Sequence, residues 1–197
     1  MKELQAPGVT LRSDRYARHP LVLVSEKGGV RYWGGRREDQ VDRDFDVDVL
    51  WEKWAGPFTG TPLYGEFDPQ NQRDAVNRLL CAHGMRHPAQ VPGEGMLWLL
   101  RGDGVERTWP ADIETTSPPI CRPHAELALD RCPTLRRGYL AVRVHEVEYV
   151  GVRGLLYADG GPDGLETVYF TDPARLRFTL ARYLVLRLRG ARPDPDL

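Results

Sequence analysis

Apolar positions along the chain change period several times, and each change predicts an element. Leu21 to Val24 and Val30 to Trp33 are short apolar runs separated by Gly28-Gly29, which predicts a β-hairpin. A charged loop follows at 34–43. Asp44, Asp46 and Asp48 then alternate with Phe45, Val47 and Val49, the period of a half-buried strand with its carboxylates in water. Gly56, Pro57, Gly60, Pro62 and Gly65 predict a loop over 55–67.

At Asp68-Pro69 the period lengthens. Asp is a good helix cap, and Pro is tolerated in the first turn, where its missing N–H has no partner to lose. Ala75, Val76, Leu79 and Leu80 would form the buried stripe, with Gly84 as a stop. A turn-rich stretch over 88–95 leads to a strand through Met96–Leu100, then a loop over 102–119. A second helix is expected from Cys121, with Ala125, Ala128, Leu129 and Cys132 on one face and Pro133 ending it. Residues 139–147, 150–157 and 166–170 read as an antiparallel meander. A third helix is expected from Asp172-Pro173, with Leu176, Leu180, Tyr183, Leu184 and Leu188 along one side. The pattern predicts an α+β protein of antiparallel strands and three main helices. Residues 1–18 read as a loosely held arm, 19–190 as a single domain and 191–197 as a disordered tail.

Composition narrows the classes. The 197 residues carry 27 Lys plus Arg against 28 Asp plus Glu, a net charge of -1, which argues against a general polyanion binder. With 41% hydrophobic residues, the chain does not have the composition of a disordered protein. No apolar run approaches the roughly 18 to 20 residues of a membrane span. The first residues hold no apolar leader, so the cytoplasm is the expected compartment. There a cysteine is more readily a small buried residue, a metal ligand or a nucleophile than half of a disulfide.

The three cysteines are Cys81, Cys121 and Cys132. Two of them head short motifs, Cys81-Ala82-His83-Gly84 at the end of the first expected helix and Cys121-Arg122-Pro123-His124 at the start of the second. Thiolate and imidazole are what zinc prefers, and four such ligands complete a tetrahedral structural site. A tight turn brings one pair together. A helix start puts positions i and i+3 on one side, with N–H groups that favour thiolate charge. Cys81, His83, Cys121 and His124 are therefore the candidate zinc ligands, with His87 able to replace His83 as a C-x5-H pair. With the strand at Met96–Leu100 between the pairs, the order is that of a degenerate treble-clef knot. The alternative is that Cys81 is a core thiol and the histidines are surface or hydrogen-bonded residues. Cys132 reads mainly as core.

Other candidates carry less. Asp44, Asp46 and Asp48 share a face but lack the calcium-loop pattern, since positions six and twelve hold Val49 and Ala55. Cys81 or Cys132 could act as a nucleophile beside His83, His87 or His124, though nothing local supports it. Arg175, Arg177, Arg182, Arg187 and Arg189 would make the last helix basic, either a solvated face or a surface for nucleic acid.

The segments at 78–84, 96–100, 117–125 and 132–144 resemble those of a family of uncharacterised actinobacterial proteins, common in streptomycetes. Its members carry stretches like RLLCxVCG, VLWLL, HPPVCxPCA and CPHLRRGYVAVRV. The resemblance spans roughly residues 28–188 and is sharpest over 78–158. It implies a treble-clef-like zinc site in which Cys81 and Cys121 match directly. His83 and His124 stand for the partner cysteines, with one residue fewer in the first pair. It implies no established activity. The plan also resembles that of HNH nucleases, but their catalytic histidine would fall within Thr115–Pro119, which holds no general base. The expected role is a zinc-stabilised interaction or regulatory module that works through a protein partner, without catalytic activity. The alternatives are a metal-dependent enzyme of specialised metabolism and a nucleic-acid binder using the C-terminal arginines.

Overall fold

The computed structural model describes residues 6–18, 22–25, 29–33, 49–91, 93–101, 112–157, 162 and 164–197. Its strands in chain order are β1 (Thr10–Arg12), β2 (Tyr16–Ala17), β3 (Val22–Ser25), β4 (Gly29–Tyr32), β5 (Leu50–Trp51), β6 (Trp54–Ala55), β7 (Pro62–Phe67), β8 (Gln90–Val91), β9 (Gly95–Arg101), β10 (Ile113–Thr115), β11 (Tyr139–Val144), β12 (Glu146–Leu156), β13 (Leu165–Tyr169), β14 (Thr179–Arg189) and β15 (Arg192–Pro193). Three α-helices join them among the described residues: α1 (Pro69–Asn77), α2 (Arg122–Arg131) and α3 (Pro173–Leu176). The protein is mixed α+β, and its sheets are antiparallel apart from a short parallel pairing of β5 with β14. None of the described helices is long and apolar enough to cross a membrane.

The chain forms two compact units, the first of Met1–Arg15, Pro57–Glu148 and Leu186–Leu197, the second of Tyr16–Gly56 and Tyr149–Val185. In the first, β1 pairs with β7 through a bulge, since Thr10 faces Phe67 while Arg12 faces Pro62. Gly65 supplies the positive φ, +98°, that this irregularity requires. α1 starts as the sequence predicts, with the Asp68 carboxylate accepting from the Asn71 N–H at 3.0 Å. It stops earlier than Gly84. Leu79 takes the left-handed conformation at φ 50°, and the Leu80 N–H returns to the Ala75 carbonyl at 2.8 Å. That is a Schellman stop built without glycine. The sheet order is β15-β11-β9-β8. β9 lies at its centre with Trp98 fully buried, the indole N–H donating to the Ser117 carbonyl at 2.9 Å.

The second unit contains the predicted β3–β4 hairpin, with Val24 opposite Val30. β13 pairs with β12, placing Val152 opposite Val168. Val30, Tyr32, Leu50 and Leu180 make an apolar cluster. Beside it, the buried Glu52 carboxylate accepts from Arg182 at 2.7 and 2.9 Å and from the Trp54 indole at 2.9 Å. The Tyr32 hydroxyl donates to the Trp51 carbonyl at 2.7 Å, and burial pushes its pKa up to about 12.

Several expectations differ from what the structure shows. The single domain over 19–190 is divided between two units. Residues 6–17 of the expected arm contribute β1 and β2 and bury Val9 and Leu11, and the expected loop over 55–67 contains β7. The tail expected to be disordered forms β15. β11 pairs with β9 and β15, so the expected meander is real only for β12 and β13. The third helix stops after Leu176, and from Thr179 the chain is a strand. Leu184, Val185, Leu186 and Leu188 are all buried. A strand covered on both faces is apolar at nearly every position, so its spacing also satisfies a helix. The aspartates at 44, 46 and 48 lie outside the described residues.

Candidate metal centre

Residues 79–89 fold back on themselves just after α1. Leu80 bridges Pro88, the Cys81 N–H donates to the His87 carbonyl at 3.0 Å, and the Ala89 N–H donates to the Leu79 carbonyl at 2.9 Å. Inside this closed loop, the Met85 N–H donates to the Cys81 carbonyl at 2.8 Å. The loop therefore brings its two ends, Cys81 and His87, side by side. Its outer edge is tied down by Gly8 and Val9, whose N–H groups donate to the carbonyls of His83 and Ala82 at 2.9 and 3.1 Å.

The second half of the centre comes from α2. Cys121 caps its start in an extended conformation, and the Ala125 N–H donates to the Cys121 carbonyl at 2.9 Å. His124, three residues on, lies on the same side as Cys121. The bridge between Leu97 and Ile120 and the bond from the Ala82 N–H to the Pro119 carbonyl, 2.8 Å, fix this helix start against β9 and the loop.

The ligand atoms of Cys81, His87, Cys121 and His124 all lie within 4.8 Å of one another, a group that could hold a metal ion. The two sulfurs are 3.6 Å apart, and His124 Nδ1 lies 3.3 Å from that of Cys81 and 3.1 Å from that of Cys121. The cysteines are free thiols. Cys81 is fully buried, while the other three are partly exposed. The Cys121 N–H donates to the Cys81 sulfur at 3.5 Å, which supports negative charge there.

Burial pushes the Cys121 thiol above its ordinary range, and the neighbouring Cys81 adds to the rise, against the lowering effect of the His124 N–H. Burial also pushes His124 below its ordinary value, helped by repulsion from His87. A neutral imidazole is the form that binds a metal, whereas a thiol must give up its proton to do so.

Of the four sequence candidates, Cys81, Cys121 and His124 come together, and the fourth member of the group is His87. The His83 ring stacks on that of His124 instead, with centroids 4.3 Å apart and planes 10° apart. The reason is local: the cross-loop pairing places Cys81 opposite His87. Gly84 leaves room for this, because a Cβ there would stand 2.7 Å from His87 Cε1 and 3.1 Å from its Nδ1. Spacing alone offered both histidines and could not choose between them. Cys132 ends α2 half-buried and is outside the group.

The basic C-terminal helix that would have carried a nucleic-acid surface is not formed. Arg182 pairs with Glu52, Arg187 with Glu114 and Glu148, Arg189 with Glu148 and Asp112, and Arg175 with Glu166. Each of these four arginines thus has a carboxylate partner. Compared with family models, with curated proteins and with solved structures, the chain matches none.

Proposed function

We propose that this chain is a zinc-stabilised, non-catalytic module in which Cys81, His87, Cys121 and His124 hold a structural zinc ion, and that it works by contact with a protein partner. The observation that carries this reading is the convergence of four soft ligand atoms within 4.8 Å from two separate segments. Tetrahedral zinc with bonds near 2.3 Å to sulfur needs sulfurs about 3.8 Å apart, and a sulfur-to-nitrogen distance of about 3.6 Å. The separations of 3.6, 3.3 and 3.1 Å fall close to this frame. Four protein ligands fill a tetrahedron and leave no position for a substrate, which favours a structural role over a catalytic one.

Loop, β8–β9 hairpin and helix follow one another in the order of a treble clef, and kinship with the actinobacterial family of paired cysteines belongs to this reading. Zinc would add a bonded link between the 79–89 loop and α2 to the apolar cluster of Cys81, Leu97, Ile120, Ala125 and Ala141 that already joins them. For the partner contact, adjacent Leu63 and Tyr64 on β7 are exposed, at 39% and 53%. Elemental analysis of the purified chain tests the metal. The expected result is one zinc per chain, lost in Cys121→Ser, with chelation melting the first unit. A wild-type chain free of metal after expression and reconstitution with zinc overturns the proposal.

A further inference from the structure

Residues 192–197 sit on the first unit as a bound peptide would. β15 adds to the edge of β11, with Val142 opposite Pro193, and the Asp194 N–H donates to the Ala141 carbonyl at 2.9 Å. Asp194 is only 4% exposed. Its carboxylate accepts from Arg122 Nη2 at 2.9 Å on both oxygens and from Arg143 Nε at 2.6 Å. The Asp196 N–H closes back on the same carboxylate at 3.1 Å. Leu197 packs on the apolar cluster of Cys81, Leu97, Ile120, Ala125 and Ala141, against which Cys121 also packs. Edge pairing, a carboxylate between arginines and an apolar anchor are the means by which grooves hold linear segments.

Both anchors lead to the metal centre. Arg122 follows Cys121 directly and opens α2. Leu197 rests on the cluster that contains Cys81. We propose that residues 192–197 are a docked segment whose seating and zinc binding at Cys81, His87, Cys121 and His124 strengthen each other, an inference that rests on the metal reading above. The physical cause is a shared requirement. Asp194 holds Arg122, and hence the backbone at the start of α2. Zinc holds Cys121 and His124 in the same turn. Whichever is in place first has already ordered that turn, so the other loses less freedom on arriving. The coupling is reciprocal, so zinc must tighten the segment by the factor that the segment tightens zinc.

The test uses the zinc-loaded chain of 197 residues with Asp194→Asn and Leu197→Ala. The first measurement is zinc affinity, by competition with a chromophoric chelator of known affinity. Both variants are expected to bind zinc about tenfold more weakly, within the range of roughly 5 to 150 for site-to-site coupling. The second needs no variant: hydrogen exchange at the Asp194 amide of the wild type, before and after zinc removal. Its protection should fall by a similar factor while the β12–β13 pairing keeps its own. A zinc affinity within about twofold of wild type in both variants overturns the coupling. So does an Asp194 amide that exchanges equally with and without zinc, or one that loosens only together with β12–β13. A wild-type chain that binds no zinc overturns the metal reading itself, and elemental analysis separates that result from the others.

Discussion

The sulfurs of Cys81 and Cys121 are 3.6 Å apart although the two cysteines stand forty positions apart in the chain. They are too far apart for a disulfide bond, which needs about 2.05 Å, and close to the spacing that a shared zinc ion imposes. Two half-sites meet there, one made by a closed loop and one by a helix start.

The two histidines near Cys81 should therefore separate under mutation. On the zinc proposal, His87→Ala removes a ligand and is expected to lower zinc affinity by more than about a hundredfold, beyond the roughly 10- to 100-fold typical of outer-shell partners. His83→Ala removes only the ring stacked on His124, and outer-shell partners of metal ligands typically cost about 10- to 100-fold. Competition against a chelator of known affinity measures both. Equal losses, or a larger loss for His83→Ala, would reassign the fourth ligand.

Gly84→Ala tests the room given to His87. The added methyl would meet the His87 ring at 2.7 Å. A side-chain ring can turn aside cheaply, so the metal-free chain should lose less than about 1 kcal/mol, the low end of the range for overpacking. Zinc affinity should fall about tenfold or more, because the ring turns away from the other ligands. Urea denaturation of the metal-free chain and a zinc titration give the two numbers.

In the second unit, Glu52→Ala leaves the Arg182 guanidinium without its bidentate carboxylate. Removing one member of a buried ion pair costs about 3 to 5 kcal/mol. Arg182 is 27% exposed on its side chain, so the lower end of about 3 kcal/mol is expected. The shift in the urea midpoint, at constant slope, measures it.

Acid should release the docked segment late. Burial would raise the Asp194 carboxyl, but the hydrogen bonds from Arg143 and Arg122 outweigh it and hold the pKa below the ordinary value. A depressed carboxyl stabilises the folded form above its unfolded value, about 3.9, and that contribution vanishes as pH falls through the folded value. The contribution should thus be constant from neutral pH to about 5 and be lost below about 4. An NMR titration of the Asp194 carboxyl carbon follows it, and Asp194→Asn should remove the dependence.

Much of this architecture was legible locally. Asp68-Pro69 announced α1, Cys121 and Pro133 bracketed α2, and the apolar run at 96–100 announced β9, because caps, prolines and continuous apolar stretches act over a few residues. The long last strand, β14, was not legible. Leu180, Leu184 and Leu188 satisfy a helical spacing and Leu184, Leu186 and Leu188 satisfy a strand, and only neighbours on both faces decide for the strand. β7 was hidden for the opposite reason: Pro62 and Gly65 read as loop, and its side chains are mostly exposed.

The candidate site divides the same way. The sequence by itself determined the candidate ligand types, one Cys–His pair at a helix start with fixed i, i+3 spacing, and a second cysteine with two histidines after it. Only the tertiary structure decided that His87 joins Cys81 while His83 stacks on His124. That choice comes from hydrogen bonds closing the 79–89 loop and from the space left by Gly84. It decided as well that Asp194, in a stretch with no periodic signal, would be buried between two arginines. A helix sets the direction of its side chains through its own repeat. A loop sets them only through the partners it closes upon, and those lie elsewhere in the chain.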